Sequence, residues 1–209
     1  MAKEVKLAVF AGSLRAGSYN KQLARAAAAA AEKAGAAVTL MDLKDYPMPV
    51  YNQDDETATG LPEHAKRFQD ALRASHGFII ASPEYNSSIP GGLRNAIDWA
   101  SRSAPTEPLV AFRKKTALLL SASPGNLGGI RSLATLRSIL SNIGTLVLPD
   151  QLAVPRAHEA FVDGALKDPK QQRKGPAVPD SQKIGCPPLP IRLKYPDYPT
   201  GGRNGPINR

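Results

Sequence analysis

Short apolar segments alternate with longer segments of mixed polarity through roughly the first 150 residues. The apolar segments have the length of buried strands and predict five of them, at 5–11, 38–41, 77–81, 116–120 and 145–148. Between the strands, apolar residues recur every three to four positions, as they do along one face of a helix. Four helices are predicted: 18–34, one begun by Pro62, one after Pro90, and one through Leu133, Leu136, Leu140 and Ile143.

This alternation predicts how the elements assemble. Strands that are apolar on both faces must be covered on both, and right-handed crossovers then produce a doubly wound parallel sheet. The predicted fold class is therefore α/β, with five parallel strands and helices on both faces. Ligands of such sheets bind beyond the carboxyl ends of the strands, so the loops after strands one, three and four are the places to look for chemistry.

Composition indicates a soluble protein with one core. The chain has 209 residues, 42% of them hydrophobic, and no apolar run approaches the ~20 residues that cross a membrane. Cys186 is the only cysteine, so no internal disulfide can form, and the N-terminal residues lack the pattern of an export signal. A cytoplasmic location without membrane attachment is expected.

The positive charge is uneven. The net charge is +9, but nine of the 27 basic residues and only four of the 18 acidic ones follow residue 162, which leaves +4 on the body. Ordinary solvation explains such a surface, so nucleic acid is not the expected partner. Nine prolines lie within 169–209, and Pro176 would interrupt a final helix. We therefore expect a folded domain at 1–168 and a disordered or divergent tail at 169–209.

The first loop, residues 12–20, is suited to bind a phosphate. It brings hydroxyl, amide and small residues to the start of a helix, where unpaired N–H groups and the helix dipole favour an anion. An ordinary serine-capped helix is an equally good interpretation of this loop alone. Gly17 is followed by Ser18 and Tyr19 rather than Lys-Ser/Thr, so it is not a Walker A loop, and no Gly-x-Gly-x-x-Gly is present. Asp42, which ends the second strand, is expected to cap a loop rather than to bind a ribose.

The second and third loops are suited to a planar ring. In residues 82–92 Tyr85 can pack on a ring, while Asn86 and backbone amides can bond heteroatoms at its edge. Residues 121–129 could close over the same ligand, although their glycines could equally serve the turn alone. A serine hydrolase is disfavoured because no Gly-x-Ser-x-Gly is present and none of the three histidines has an obvious catalytic partner.

Together the three loops resemble the NADPH-dependent FMN reductase family, which includes quinone, azo-dye and chromate reductases. The resemblance covers residues 5–167 and rests on Gly-Ser-Leu-Arg at 12–15 with Ser18 and Asn20, on Pro-Glu-Tyr-Asn at 83–86, on Pro-Gly-Gly-Leu-Arg-Asn-Ala-Ile-Asp-Trp at 90–99, and on Ser-Pro-Gly at 123–125 before Gly128-Gly129. It implies a flavodoxin-like fold that binds FMN and uses NADPH or NADH as co-substrate. A small-molecule electron acceptor and a homodimer or homotetramer are also implied, with Trp99 and Ile97 either near the partner chain or in the core.

The resemblance also assigns residues to the cofactor. The FMN phosphate would be held by Ser13, Arg15, Ser18, Tyr19 and Asn20. The isoalloxazine ring would contact Pro83, Glu84, Tyr85, Asn86, Ser87 and Ser123. No catalytic residue and no metal are expected, because the flavin carries the chemistry. The alternative is a flavodoxin-type electron carrier without efficient NAD(P)H oxidation, which the positive body disfavours because such carriers are typically acidic.

Overall fold

The computed structural model describes residues 4–102, 109–162, 165–167, 172–174 and 194–196. Its elements, in chain order, are β1 Lys6–Ala11, α1 Tyr19–Lys33, β2 Ala37–Asp42, α2 Gln53–Thr59, α3 Glu63–Arg73, β3 Gly77–Ala81, α4 Gly91–Ala100, β4 Thr116–Ala122, α5 Ile130–Asn142, β5 Leu146–Val154, α6 Ala157–Ala160, β6 Phe161–Val162, β7 Ala165–Leu166, β8 Gln172–Lys174 and β9 Lys194–Pro196. A short 3-10 turn, Leu43–Asp45, follows β2.

The first five strands form one sheet in the order β2-β1-β3-β4-β5, and every neighbouring pair is parallel. The predicted doubly wound α/β sheet is therefore confirmed. The chain leaves β1 toward β2 and then returns past β1 to β3, so the strand order reverses beside β1. That reversal opens a crevice at the carboxyl ends of β1 and β3, where ligands of such sheets bind.

Alternate residues of each strand face two separate apolar layers. Leu7 and Val9 of β1 pack with Leu23 and the alanines of α1, whereas Ala8 and Phe10 face the layer that α3, α4 and α5 cover. Helix α1 contacts four of the five strands, β1 to β4. Its buried alanines allow that central position, because a small side chain lets the helix axis approach the sheet closely.

Helix α2 and strand β5 differ from the sequence prediction, and the short elements α6 and β6 to β9 were not predicted either. Helix α2 was not predicted, because its seven residues bury none of their side chains; it is stabilised by the Asn52 side chain, which accepts from Asp54 N, and by acids in its first turn. Strand β5 extends to Val154, well beyond the predicted end at residue 148. The register of β5 against β4 shifts between the pairs of Ala117 and Leu119, and this irregularity surrounds Pro149.

Helix α4 packs into its own chain at the two positions considered for a subunit contact. Trp99 and Ile97 are buried, and the Trp99 indole N–H donates to Pro49 O at 2.8 Å. Tyr51 meets the Trp99 ring edge-on at 5.0 Å. Trp99 and Ile97 are therefore core residues of the single chain, which was the second of the two roles considered for them.

Most of the predicted tail, 169–209, lies outside the described residues. Its described parts, β8 and β9, pair with each other in antiparallel fashion. The domain boundary at residue 168 stays a prediction. Within the described parts of the chain, no helix is long and apolar enough to span a bilayer.

Candidate functional site

Three loops meet at the carboxyl edge of the sheet and line one open depression. Because β1, β3 and β4 are parallel neighbours, the loops that follow them lie side by side. Nine of the eleven residues assigned from the sequence line it: Ser13, Arg15, Ser18, Tyr19, Asn20, Pro83, Glu84, Tyr85 and Ser123. Ala122 and Pro124, which the sequence did not single out, complete the wall, whereas Asn86 and Ser87 are not among its residues.

The first loop presents an anion-binding helix end. Ser18 is the residue before α1, and its hydroxyl makes no capping hydrogen bond. The first N–H with a partner in the helix is that of Gln22, which donates to Ser18 O at 3.2 Å, so the N–H groups of Tyr19, Asn20 and Lys21 have no intrahelical acceptor. Arg15 is exposed beside them. This set of donors fits a phosphate.

The side chain of Asn20 is used inside the protein. Its Nδ2 donates to Ala122 O at 2.8 Å, and its Oδ1 accepts from Ala122 N at 2.9 Å. The pairing between β3 and β4 ends at Ala81 and Leu120. Two residues farther along β4, the side-chain amide of Asn20 bonds the N–H and C=O of Ala122 as a neighbouring strand would. Asn20 therefore joins the first loop to the end of β4, and its backbone N–H is the donor left for a ligand.

Asp42 makes an internal ion pair. The Lys21 Nζ lies 2.6 Å from Asp42 Oδ2, and Lys44 N donates to Oδ1 at 3.0 Å. Partial burial raises the pKa of Asp42, but the hydrogen bonds from Lys21 and Lys44 outweigh it and hold that pKa below its usual value. Asp42 thus caps the turn after β2, as the sequence predicted.

The second loop contains a tight and strained turn. Tyr85 and Ser88 exchange two backbone hydrogen bonds of 3.0 Å, and Asn86 and Ser87 between them have φ angles of 52° and 64°. Asn tolerates this left-handed region, but Ser does so at a cost. The turn holds the Tyr85 ring at the rim of the depression with 46% of its surface exposed.

Glu84, which lines the depression, directs its carboxylate to the start of α5. Oε1 accepts from Arg131 Nε at 2.6 Å, while Oε2 accepts from the backbone N–H groups of Arg131 at 3.0 Å and Ser132 at 3.4 Å. Burial raises the pKa of Glu84, but the hydrogen bonds and the charge of Arg131 together lower it by more than burial raises it. The pKa of Glu84 is therefore below its usual value and the carboxyl is ionised at neutral pH. The side chain assigned to the flavin edge is therefore committed to a neighbouring helix.

The glycines of the third loop are required by close contacts. Gly129 has a φ of +85°, and a Cβ placed there would lie 2.0 Å from Ser121 Oγ. A Cβ on Gly128, with a φ of +61°, would lie 2.8 Å from the backbone of Val154 and Pro155. The Oγ of Ser123 accepts from Gly125 N at 3.2 Å. These glycines serve packing as well as the turn.

Ser121 Oγ is the one buried side-chain polar atom without a hydrogen-bond partner in the described part of the chain. Burying an unpaired hydroxyl costs free energy, so Ser121→Ala is expected to raise the free energy of unfolding by about 1 kcal/mol. Denaturant unfolding of the two proteins measures the difference. Ser132→Ala is the control, because Ser132 Oγ donates to Gly129 O at 2.8 Å and its loss should destabilise. A loss of stability in Ser121→Ala would show that the hydroxyl is paired.

The histidines are engaged away from these loops. His76 Nδ1 accepts from Lys6 N at 2.9 Å, His158 lies beside Glu159, and His64 lies beside Arg67. None of the three lines the depression. The arrangement therefore gives no support to a serine hydrolase.

Comparison with known proteins decides the family. A family model described as NADPH-dependent FMN reductase matches residues 5–159. The chain belongs to the NADPH-dependent FMN reductase family. The match includes all three loops, so the resemblance drawn from their motifs is confirmed.

Individual members of the family agree. The chain is 37% identical to an NAD(P)H-dependent FMN reductase of Pseudomonas aeruginosa over 172 residues, which cover 81% of this chain and 89% of that one. It is 35% identical to a quinone reductase of Escherichia coli over 148 residues, or 71% and 76% of the two chains. Among solved structures, a flavoenzyme NAD(P)H:(acceptor) oxidoreductase of Paracoccus denitrificans superposes with a TM-score of 0.67 at 31% identity, covering 79% of this chain and 88% of that one.

These findings establish the class of chemistry. This FMN reductase family member is an FMN-dependent NAD(P)H oxidoreductase with the flavodoxin-like fold, as the sequence led us to expect. The alternative of an electron carrier without efficient NAD(P)H oxidation is not favoured.

Proposed function

We propose that the chain binds FMN in the three-loop depression and uses NAD(P)H to reduce small acceptors, with quinones as the principal class. The observation that carries this proposal is the convergence of an open helix N-terminus, an exposed tyrosine and the third loop on one depression. Bound FMN supplies a ring that takes two electrons and releases them to an acceptor.

The phosphate end is assigned to the first loop. The N–H groups at the start of α1 and the Ser18 hydroxyl donate to the phosphate, and the exposed Arg15 guanidinium adds charge. Arg15 also attracts the phosphates of the nicotinamide co-substrate. Asn20 and Ser13 hold the loop in shape: Asn20 bonds β4, and Ser13 Oγ accepts from Arg15 N at 3.3 Å.

The ring end is assigned to the second and third loops. Tyr85 packs against the ring, and Pro83, Glu84 and Ser123 line its edge. Asn86 and Ser87, in the turn that adjoins this wall, are assigned to the ring edge by the family resemblance alone. The co-substrate and the acceptor bind one after the other at the exposed face of the ring. A cytoplasmic location and a homodimer or homotetramer are part of the proposal. The oligomer is supported by exposed apolar side chains at this edge of the sheet: Leu14, Tyr85, Leu127 and Ile130.

Ser18→Ala tests the phosphate assignment. Losing one hydrogen bond to the phosphate should weaken FMN binding by about 1 kcal/mol, or roughly fivefold in Kd. The free energy of unfolding of the FMN-free protein should not change, because the Ser18 hydroxyl caps nothing. Quenching of FMN fluorescence measures Kd, and Ser138→Ala on exposed α5 surface is the matched control. An unchanged Kd in Ser18→Ala would remove Ser18 from the site.

Steady-state kinetics test the shared face. With FMN present, NADPH oxidation should accelerate when benzoquinone is added, and double-reciprocal plots at several quinone concentrations should be parallel. Parallel lines are expected because donor and acceptor occupy the same face at different times. Intersecting lines would mean that both substrates bind together and would overturn the assignment of one shared face.

A further inference from the structure

Helix α5 has no N-terminal cap of its own. The residue before it is Gly129, which offers no side chain, and its first turn contains no acidic residue. The helix dipole leaves a partial positive charge at such an end. The side chain of Arg131, 55% exposed, adds a full charge at the same place.

The missing cap comes from another loop. Glu84, whose side chain is only 8% exposed, bonds both the Arg131 guanidinium and the backbone N–H groups of Arg131 and Ser132. The two segments are neighbours at this point, since a Cβ on Gly129 would lie 3.6 Å from the Glu84 Cβ, an ordinary contact distance. One carboxylate therefore joins the second loop to the helix that follows the third.

The joined segments form the ring end of the depression. Pro83, Glu84 and Tyr85 belong to one wall, while Ser123 and Pro124 belong to the other. The Glu84 carboxylate thus belongs to the residue next to Tyr85 in the wall, and it both joins the two segments and neutralises the positive end of α5.

We propose that Glu84 and Arg131 are a positioning pair that sets the affinity and the reduction potential of the bound FMN. This inference rests on the proposed function. Two electrons and one proton leave the flavin ring one charge more negative than before. A positive charge nearby therefore favours the reduced ring and raises its potential, whereas a negative charge lowers it.

Opposite effects are expected from the two single substitutions. Glu84→Gln leaves the end of α5 and Arg131 without a counter-charge, so the potential should rise. Arg131→Gln leaves the Glu84 carboxylate in excess, so the potential should fall. The double variant should return toward the wild-type potential. A merely structural clamp would shift both single variants in the same direction, since each breaks the same contact.

The experiment is redox titration of the FMN-loaded protein against dyes of known potential. Glu32→Gln and Lys33→Gln are charge-matched controls, because both residues are exposed at the far end of α1. Arg131→Gln keeps the two backbone bonds of Glu84 and is therefore the variant expected to retain its fold. FMN affinity should fall about tenfold in Glu84→Gln, which loses charged hydrogen bonds, and less in Arg131→Gln.

Each outcome is decisive. Shifts of opposite sign in the two single variants, with none in the controls, support the pair as proposed. Shifts of the same sign, or none in Arg131→Gln, would overturn the inference while leaving the proposed function intact. Wild-type protein that binds no FMN would overturn both.

Discussion

Gly129→Ala should lower the free energy of unfolding by about 3 kcal/mol. Residue 129 has a φ of +85°, which costs an L-residue about 1–2 kcal/mol. The new Cβ would also overlap with Ser121 Oγ, an atom of a fully buried strand residue. Denaturant unfolding provides the measurement.

Gly125→Ala is the matched control in the same loop. A Cβ on Gly125 would meet only Ser123 Oγ, at an ordinary contact distance of 3.6 Å. Ser121→Gly in the Gly129→Ala background should recover part of the loss, because it removes the clash and leaves the backbone strain. Equal stability of the Gly129→Ala and Gly125→Ala proteins would refute the close contact beneath the third loop.

Asn20→Ala should cost about 2–4 kcal/mol and should also release FMN. The substitution removes hydrogen bonds of 2.8 and 2.9 Å and leaves the N–H and C=O of Ala122 buried without partners. Because those bonds hold the start of α1 against the end of β4, the phosphate end and the ring end of the depression would lose their fixed separation.

Two variants separate this role from a direct contact with the phosphate. Asn20→Asp should be at least as harmful, since its carboxylate would face the Ala122 carbonyl oxygen, while Asn142→Ala on exposed α5 should be neutral. In Asn20→Ala the free energy of unfolding should fall while the Kd for FMN rises. Loss of FMN affinity at full stability would mean that the side chain contacts the phosphate instead.

The pattern of apolar and polar residues was sufficient to predict the overall fold of the domain. Alternating apolar strands and amphipathic helices have few ways to pack, so the parallel sheet and the loops at its carboxyl edge followed from periodicity. Helix α2 was missed because six of its seven residues are polar and give no apolar periodicity. The end of β5 was missed because Pro149, Asp150 and Gln151 interrupt its apolar pattern.

The sequence predicted which residues line the site better than it predicted what each side chain does there. Sequence identified most residues that line the depression, because loops after parallel strands must meet there. It did not reveal that Glu84 bonds α5 or that Asn20 bonds β4, since these partners lie 47 and 102 residues away in the chain. A polar side chain in a motif can serve the ligand or the loop, and only the fold distinguishes the two.

The central claim is that FMN bound in this depression accepts electrons from NAD(P)H. The most direct test is to add FMN to the purified protein, remove oxygen, and record the visible spectrum while NADPH and then NADH are titrated in. The account predicts a bound-flavin band that bleaches within seconds with at least one of the two donors. A bound flavin that stays oxidised with both would contradict it.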